Sequence, residues 1–318
     1  MSERAPDTGP ARRFDPLRHR LAVLLACATV VLLAAGGLVT STGSGLAVPD
    51  WPLSFGRFFP RMVGGVLYEH GHRIAAAAVG AFTLILAGWF LLREGRRWVR
   101  MLALFAAGAI VAQGLLGGLT VLLRLPPSVS VAHACLAQGF FCLTIVLALA
   151  TSRGFIARTP SALEAEGSPP LWALASAACL LIYGQLILGA IMRHTGAGLA
   201  IPDFPLSFGR IVPPFLSFEI AVHFAHRVGA LFVATAVLLA AARVMKKHRE
   251  RGDLVVPSVV ALVLLAVQIA LGAATVLTRL AVAPATAHVV TGALLLAACL
   301  VLAVRSALGW TPATARIT

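Results

Sequence analysis

The chain has 318 residues, of which 59% are hydrophobic and only 12% are charged, and its mean hydropathy is +0.91. This composition excludes an ordinary soluble domain and is typical of a helical protein that crosses a membrane several times. The formal net charge of +14 does not indicate nucleic-acid binding, because most of the cations lie in alternate connections between apolar segments.

Eight apolar segments follow one another along the chain, and each is long enough to cross a bilayer, which takes about 20 residues. They cover residues 21–41, 69–92, 101–123, 130–151, 171–192, 218–242, 255–278 and 284–305. The first follows a basic stretch, but its apolar run is too long for a typical signal peptide, so we expect it to be retained. We therefore predict an all-α polytopic membrane protein with eight transmembrane helices.

The distribution of Lys and Arg predicts the orientation in the membrane. Eighteen of the 26 lie in the N-terminal tail, in the connections after the second, fourth and sixth segments, and in the C-terminal tail. Cytoplasmic connections carry such an excess, so both termini are predicted to be cytoplasmic. The expected location is the bacterial cytoplasmic (inner) membrane, with the lipid bilayer as a partner and no nucleic acid.

The sequence contains an internal repeat. Residues 42–56, TGSGLAVPDWPLSFG, return at 195–209 as TGAGLAIPDFPLSFG, an offset of 153. Each half has four segments, an even number, so both halves enter the membrane in the same sense and form parallel repeats. We expect two four-helix bundles. The predicted parts are a cytoplasmic tail at 1–20, a first bundle at 21–152, a linker at 153–170, a second bundle at 171–305 and a tail at 306–318.

The loops that follow the first and fifth segments are long, aromatic and predicted to face outward. Their Pro-Asp-Trp-Pro and Pro-Asp-Phe-Pro cores cannot be helical. Two interpretations stay open, a lid over a site or a belt of aromatic residues at headgroup depth. The five cysteines all lie inside apolar segments, which predicts no disulfide framework.

Four histidines occur at matching places in the repeat: His72, His133, His226 and His288. Each lies a few residues into a segment that starts at the outer face, so all four are predicted at similar depth. Ionisable groups inside a membrane are functional candidates, and two imidazoles on facing helices are what six-coordinate haem iron takes. The alternatives are hydrogen bonds between helices, or another metal, although no HxxxH or Cys/His cluster offers three or four ligands.

The two halves differ at one position. Glu69 precedes His72 by three residues on the same helical face, whereas the matching position before His226 is His223. This asymmetry predicts that one site does chemistry while the other relays electrons, unless Glu69 is only an interfacial residue in contact with water. Gln113 and Gln268 are interpreted as helix-packing residues. Four repeat-related arginines at outer helix ends either bind haem propionates or extend to the headgroups: Arg73, Arg124, Arg227 and Arg279.

These features together resemble the haem A synthase family. The resemblance rests on Glu69-x-x-His72-Arg73, on His226-Arg227, on histidines that open segments four and eight, and on the Gly-Leu…Asp-Trp-Pro-Leu loop, and it covers about residues 20–305. It implies oxidation of haem O to haem A for the terminal oxidase, in which the methyl group at porphyrin position 8 is hydroxylated and then oxidised to a formyl group.

The resemblance also implies roles for particular residues. His226 and His288 would be the axial ligands of haem b, the cofactor, whereas His72 and His133 would hold the substrate haem O, with Glu69 as the catalytic residue. The implied partners are the haem O synthase that supplies the substrate and an unidentified electron donor or acceptor, and a homo-oligomer stays open. Many bacterial members carry cysteine pairs in the outer loops, where this chain has Val48, Ser54, Ile201 and Ser207. A loop disulfide is therefore not expected.

Two other functions stay open from the sequence. One is a bis-histidine di-haem b-type cytochrome that only passes electrons, for example from quinol. The other is a transporter built from parallel repeats.

Overall fold

The computed structural model describes residues 14–157 and 168–308. Within these ranges eight helices are long and apolar enough to cross a membrane. They are α1 (Pro16–Ser41), α2 (Gly65–Arg93), α3 (Arg97–Leu122), α4 (Pro127–Thr151), α5 (Leu171–His194), α6 (Phe218–Lys247), α7 (Gly252–Leu277) and α8 (Val282–Ala307). The predicted all-α fold with eight membrane helices is confirmed. Two short helical turns, Arg153–Ile156 and Ala197–Leu199, lie outside them.

The helices extend beyond several of the predicted apolar segments. α2 begins at Gly65 rather than at residue 69, and α6 continues to Lys247 rather than ending at 242. Hydropathy finds only the part of a helix inside the hydrocarbon, whereas the backbone hydrogen bonds continue into the headgroup region. The start of α1 is fixed locally, because the carboxylate of Asp15 accepts the backbone N–H groups of Leu17 and Arg18, each at 3.1 Å.

The helices pack in the same order in both halves. In the first half, α1 and α3 each contact both α2 and α4. In the second half, α5 and α7 each contact both α6 and α8. The halves meet along a seam formed by α1, α4, α5 and α8. Phe141 of α4 is buried at this seam with Ala293 and Ala297 of α8.

Large apolar side chains cover the outside of the bundles. Val31, Leu92 and Leu180 are 66%, 84% and 74% exposed, respectively. Such a surface suits hydrocarbon rather than water. The predicted tails and linker fall partly outside the described residues, at 1–13, 158–167 and 309–318. The division into two bundles and the cytoplasmic position of the termini stay predictions.

Candidate functional site

Each of the four predicted haem histidines lies against a glycine of a neighbouring helix. A Cβ added to any of these glycines would lie only 3.0 to 3.1 Å from Cε1 of the histidine ring. The pairs are Gly36 with His72, Gly117 with His133, Gly189 with His226 (3.1 Å each) and Gly272 with His288 (3.0 Å). Small residues allow this close approach of a ring to a helix backbone. The glycines follow the repeat offsets of 153 and 155, which was the available signal, but the sequence analysis did not identify them.

The histidines of the second half face each other closely. The ring centroids of His226 and His288 are 6.4 Å apart and their planes are inclined by 65°. Nδ1 of His288 is 3.1 Å from the backbone oxygen of Gln268. Nε2 of the same ring lies 3.4 Å from the side-chain nitrogen of Gln268. With the proton on Nδ1, the lone pair of Nε2 can therefore accept from that amide or bind a metal ion. An iron held between two imidazole nitrogens at about 2 Å each places the ring centroids roughly 6 Å apart, so this pair fits haem iron.

The first half shares the contact between a glutamine amide and Nε2 of the histidine, but Nδ1 of His133 has no hydrogen-bond partner. The side-chain amide of Gln113 donates to the backbone oxygen of His133 at 3.0 Å, and its nitrogen lies 3.3 Å from Nε2 of that ring. His72 is near enough to His133 to interact with it electrostatically. Gln113 and Gln268 therefore contact the histidines directly, which goes beyond the helix-packing role predicted for them.

Several buried ring nitrogens at these sites have no hydrogen-bond partner. They are the Nδ1 atoms of His72, His133 and His226. Unpaired buried polar atoms are rare in native proteins and call for an explanation, such as a ligand that fixes the ring from its other nitrogen. Among the residues that the structure describes, no three His, Cys, Asp or Glu side chains are grouped so that they could hold a metal ion. Haem iron needs only two protein ligands, whereas zinc needs three or four.

Glu69 and His223 perform the same structural role in the two halves. Glu69 is 3% exposed, and its Oε2 accepts the backbone N–H of Val48 at 2.8 Å. His223 is 2% exposed, and its Nδ1 accepts the backbone N–H of Ile201 at 3.3 Å. Only Glu69 also forms an ion pair, with Arg73 at 2.6 Å. Glu69 is therefore not an interfacial residue in contact with water: it is a buried carboxylate one helical turn from His72.

The outer loops are bound by Arg73 and Arg227. Arg73 donates to the backbone oxygens of Asp50, Leu53 and Val48 at 2.7, 3.0 and 3.2 Å. Arg227 donates in the same way to the backbone oxygens of Leu206, Asp203 and Ile201 at 2.8, 2.7 and 3.1 Å. Both guanidinium groups are therefore occupied by the loops. A role for them with propionates stays a prediction.

The other predicted propionate partners, Arg124 and Arg279, are exposed at the ends of α3 and α7. Their φ angles of 59° and 53° close these helices in a left-handed turn, which Leu125 and Leu280 continue. Each leucine packs on a glycine of the outer loop, Gly45 or Gly198. These turns therefore hold the loops against the bundle ends, while the arginine side chains remain accessible.

Each outer loop folds around an aspartate. The carboxylate of Asp50 accepts the backbone N–H groups of Phe55 and Gly56 at 2.7 and 2.8 Å, and Asp203 repeats this arrangement. The amides of Gly56 and then Phe55 hold the pKa of the Asp50 carboxyl below its usual range. Each loop is thus a defined structure over a histidine pair, which favours a lid over a plain aromatic belt.

The lid of the first half has a close aromatic contact with α3. Trp51 lies directly on the backbone of α3, so that a Cβ on Gly118 would be 2.5 Å from the indole ring. The repeat replaces these residues by Phe204 and Ala273, a smaller ring and a larger partner. Gly118 directly follows the glycine on which His133 rests. Trp51 thus contacts α3 at the residue next to the one that packs against His133.

The sequence analysis also left His70 without a role. His70 is 7% exposed, and its Nδ1 lies 2.8 Å from the hydroxyl oxygen of Ser54. The four loop residues at or near which the family resemblance implied cysteines, Val48, Ser54, Ile201 and Ser207, are all buried in the packed loops. All five cysteines of the chain are free, as predicted.

Comparison with known proteins agrees with this geometry. A family described as COX15-CtaA, cytochrome oxidase assembly protein, matches residues 62–300. The chain is 32% identical over 262 residues to the heme A synthase of Symbiobacterium thermophilum, which covers 79% of this chain and 84% of that protein. It is 31% identical over 264 residues to the heme A synthase of Halalkalibacterium halodurans, covering 80% and 85%. The chain therefore belongs to the COX15-CtaA family of cytochrome oxidase assembly proteins.

Proposed function

We propose that this protein is a haem A synthase, an oxidoreductase that converts the methyl group at porphyrin position 8 of haem O into the formyl group of haem A. The observation that carries the proposal is that the histidine pair facing across the second half has a repeat-related pair in the first half, and that only the first-half pair has a buried, ion-paired carboxylate beside it. Family membership and the relatives named heme A synthase support the same reaction.

The two halves have different tasks in this proposal. His226 and His288 are the axial ligands of a resident haem b, which supplies one-electron transfer when it is bound. His72 and His133 hold the substrate haem O. The features that occur only in the first half, Glu69 with its ion pair and Trp51 on α3, support this assignment, because a second electron carrier would need neither.

The reaction requires removal of protons as well as electrons. Conversion of a methyl group and one water into a formyl group releases four electrons and four protons overall. We assign to the carboxylate of Glu69, one helical turn from His72, the role of accepting protons released as the methyl carbon is oxidised. Its hydrogen bonds with the backbone N–H of Val48 and with the guanidinium of Arg73 orient this carboxylate, and the lid shields the site from water.

The setting follows from the proposed reaction. The protein is a multi-pass membrane protein, which we place in the bacterial inner membrane with both haem sites toward the outer leaflet. Haem O then arrives from the haem O synthase, and a membrane electron acceptor removes the electrons through haem b. Association of two or more copies is compatible with the exposed apolar faces.

Pigment extraction tests the proposal. The chain is expressed in cells that make haem O but no haem A, and the haems are extracted and separated. Appearance of haem A is expected. Unchanged haem O, together with a bis-imidazole spectrum of the purified protein, would instead leave an electron-carrying cytochrome, and absence of any haem spectrum would leave a transporter.

A further inference from the structure

A small polar cluster lies at the outer end of the seam between the two halves. Arg193, next to the last residue of α5, donates from Nη2 to the hydroxyl oxygen of Ser41 at the end of α1 at 2.8 Å. The hydroxyl of Thr286, near the start of α8, donates to the same oxygen at 3.0 Å. The cluster therefore joins one helix of the first half to two helices of the second half.

Arg193 has no anionic partner among the described residues. Three carboxylates at this end of the molecule already have partners: Glu69 pairs with Arg73, and Asp50 and Asp203 accept amides within their own loops. The bond to Ser41 is the single hydrogen bond that the Arg193 guanidinium makes in the described part of the chain. A partly buried cation is costly without a counter-charge.

The position of Arg193 relates it to one haem site in particular. Thr286 precedes the ligand histidine His288 by two residues, and the guanidinium lies within electrostatic reach of that ring. The repeat places Thr40 at the position matching Arg193. The first half therefore has no equivalent cation. This charge belongs to the site between His226 and His288.

We infer that Arg193 binds a carboxylate of the haem held between His226 and His288, and so anchors one propionate at the seam. The inference rests on the haem b of the proposed function. Arginine suits this role because its planar fork matches a carboxylate with two parallel hydrogen bonds. Arg227 is less suited, because loop carbonyls occupy both of its terminal nitrogens.

The test compares Arg193→Gln and Arg193→Lys with the wild type and with Arg210→Gln, which removes an exposed loop cation of the same half. Two properties of the purified proteins are measured, the midpoint potential of haem b and the rate of haem transfer to apomyoglobin. Arg193→Gln should lower the midpoint potential, because a nearby cation favours the reduced iron. It should also speed haem loss about tenfold, the equivalent of one lost charge-assisted hydrogen bond. Arg210→Gln should change neither.

The remaining outcomes are also decisive. Unchanged potential and unchanged haem loss in Arg193→Gln would overturn the inference, whereas a wild type without a b-type spectrum would overturn the proposed function itself. A lipid phosphate could supply the same counter-charge. If the effects vanish in lipid-free detergent and return with phosphatidylglycerol, the anion is a lipid and the inference is wrong. If Arg193→Gln does not fold, Arg193→Lys decides, because lysine keeps the charge but loses the fork, and haem loss equal to that of the wild type would contradict us.

Discussion

The contact between Gly189 and the His226 ring leads to a sharp prediction. In Gly189→Ala the new methyl carbon would lie 3.1 Å from Cε1 of His226, about 0.3 Å short of the ordinary contact range, which begins at 3.4 Å. The ring must therefore move by a few tenths of an ångström. Metal–ligand distances in proteins tolerate about 0.2 Å, so a displacement of this size should weaken a bond from His226 to iron.

The same substitution should not harm the helix. Alanine is more favourable than glycine in a helix interior by about 1 kcal/mol, so any loss of haem would not come from unfolding of α5. Gly184→Ala is the matched control, because it lies on the same helix and its new methyl group would meet nothing within 4 Å. Gly272→Ala, at 3.0 Å from His288, should repeat the effect from the opposite side.

Haem content per protein and the visible spectrum of the purified variants measure the effect. We expect Gly189→Ala and Gly272→Ala to bind less haem b and to show a high-spin component, while Gly184→Ala keeps the wild-type spectrum and a thermal stability at least as high. Full haem content with an unchanged low-spin spectrum in Gly189→Ala would refute His226 as an axial ligand in this geometry.

Two further predictions concern the lid and the connection between α2 and α3. Gly118→Ala should push Trp51 off α3 and lower haem A formation several-fold without loss of the b-type spectrum. Gly114→Ala is the control and should be neutral, because its new methyl group would lie in open space. Equal haem A formation by both variants in the extraction assay would argue against a role for Trp51. Although burial alone would raise the pKa of Glu94, hydrogen bonds from Arg96 and the charges of Arg96 and Arg18 lower it to about 2. A carboxyl group with a lowered pKa stabilises the fold above its ordinary pKa of about 4.5, and this stabilisation is lost as the pH falls toward 2. Glu94→Gln should therefore have a lower melting temperature than the wild type at pH 7, and the difference should close in acid. A difference in melting temperature that does not depend on pH would contradict this.

The sequence predicted the helices and the histidines because strong, local signals encode them. Eight apolar runs are sufficient to place eight membrane helices, and the repeat made His72, His133, His226 and His288 stand out as matched pairs. The difference between Glu69 and His223 was also visible in the alignment of the two halves. The structure adds that both side chains accept a loop amide.

The close contacts could not be predicted, because they depend on how each helix is rotated and crossed. Membrane helices are apolar on every side, so hydropathy does not tell which face meets a neighbour. The glycine under each histidine was therefore missed. The bond from Arg193 to Ser41 joins residues 152 positions apart across the seam. The loop partners of Arg73 depend on the fold that Asp50 gives to the lid, which no periodic pattern encodes.

The central claim is that one half converts the haem it holds while the other only carries electrons. Glu69→Gln tests it most directly, because the amide oxygen can still accept the Val48 N–H while the negative charge is lost. His223→Gln makes the matching change in the second half. The measurement is the haem composition of each purified variant from cells that supply haem O.

We predict that Glu69→Gln retains haem b and haem O but contains little or no haem A, whereas His223→Gln still produces haem A. Wild-type levels of haem A in Glu69→Gln, or loss of haem b together with activity, would contradict the account.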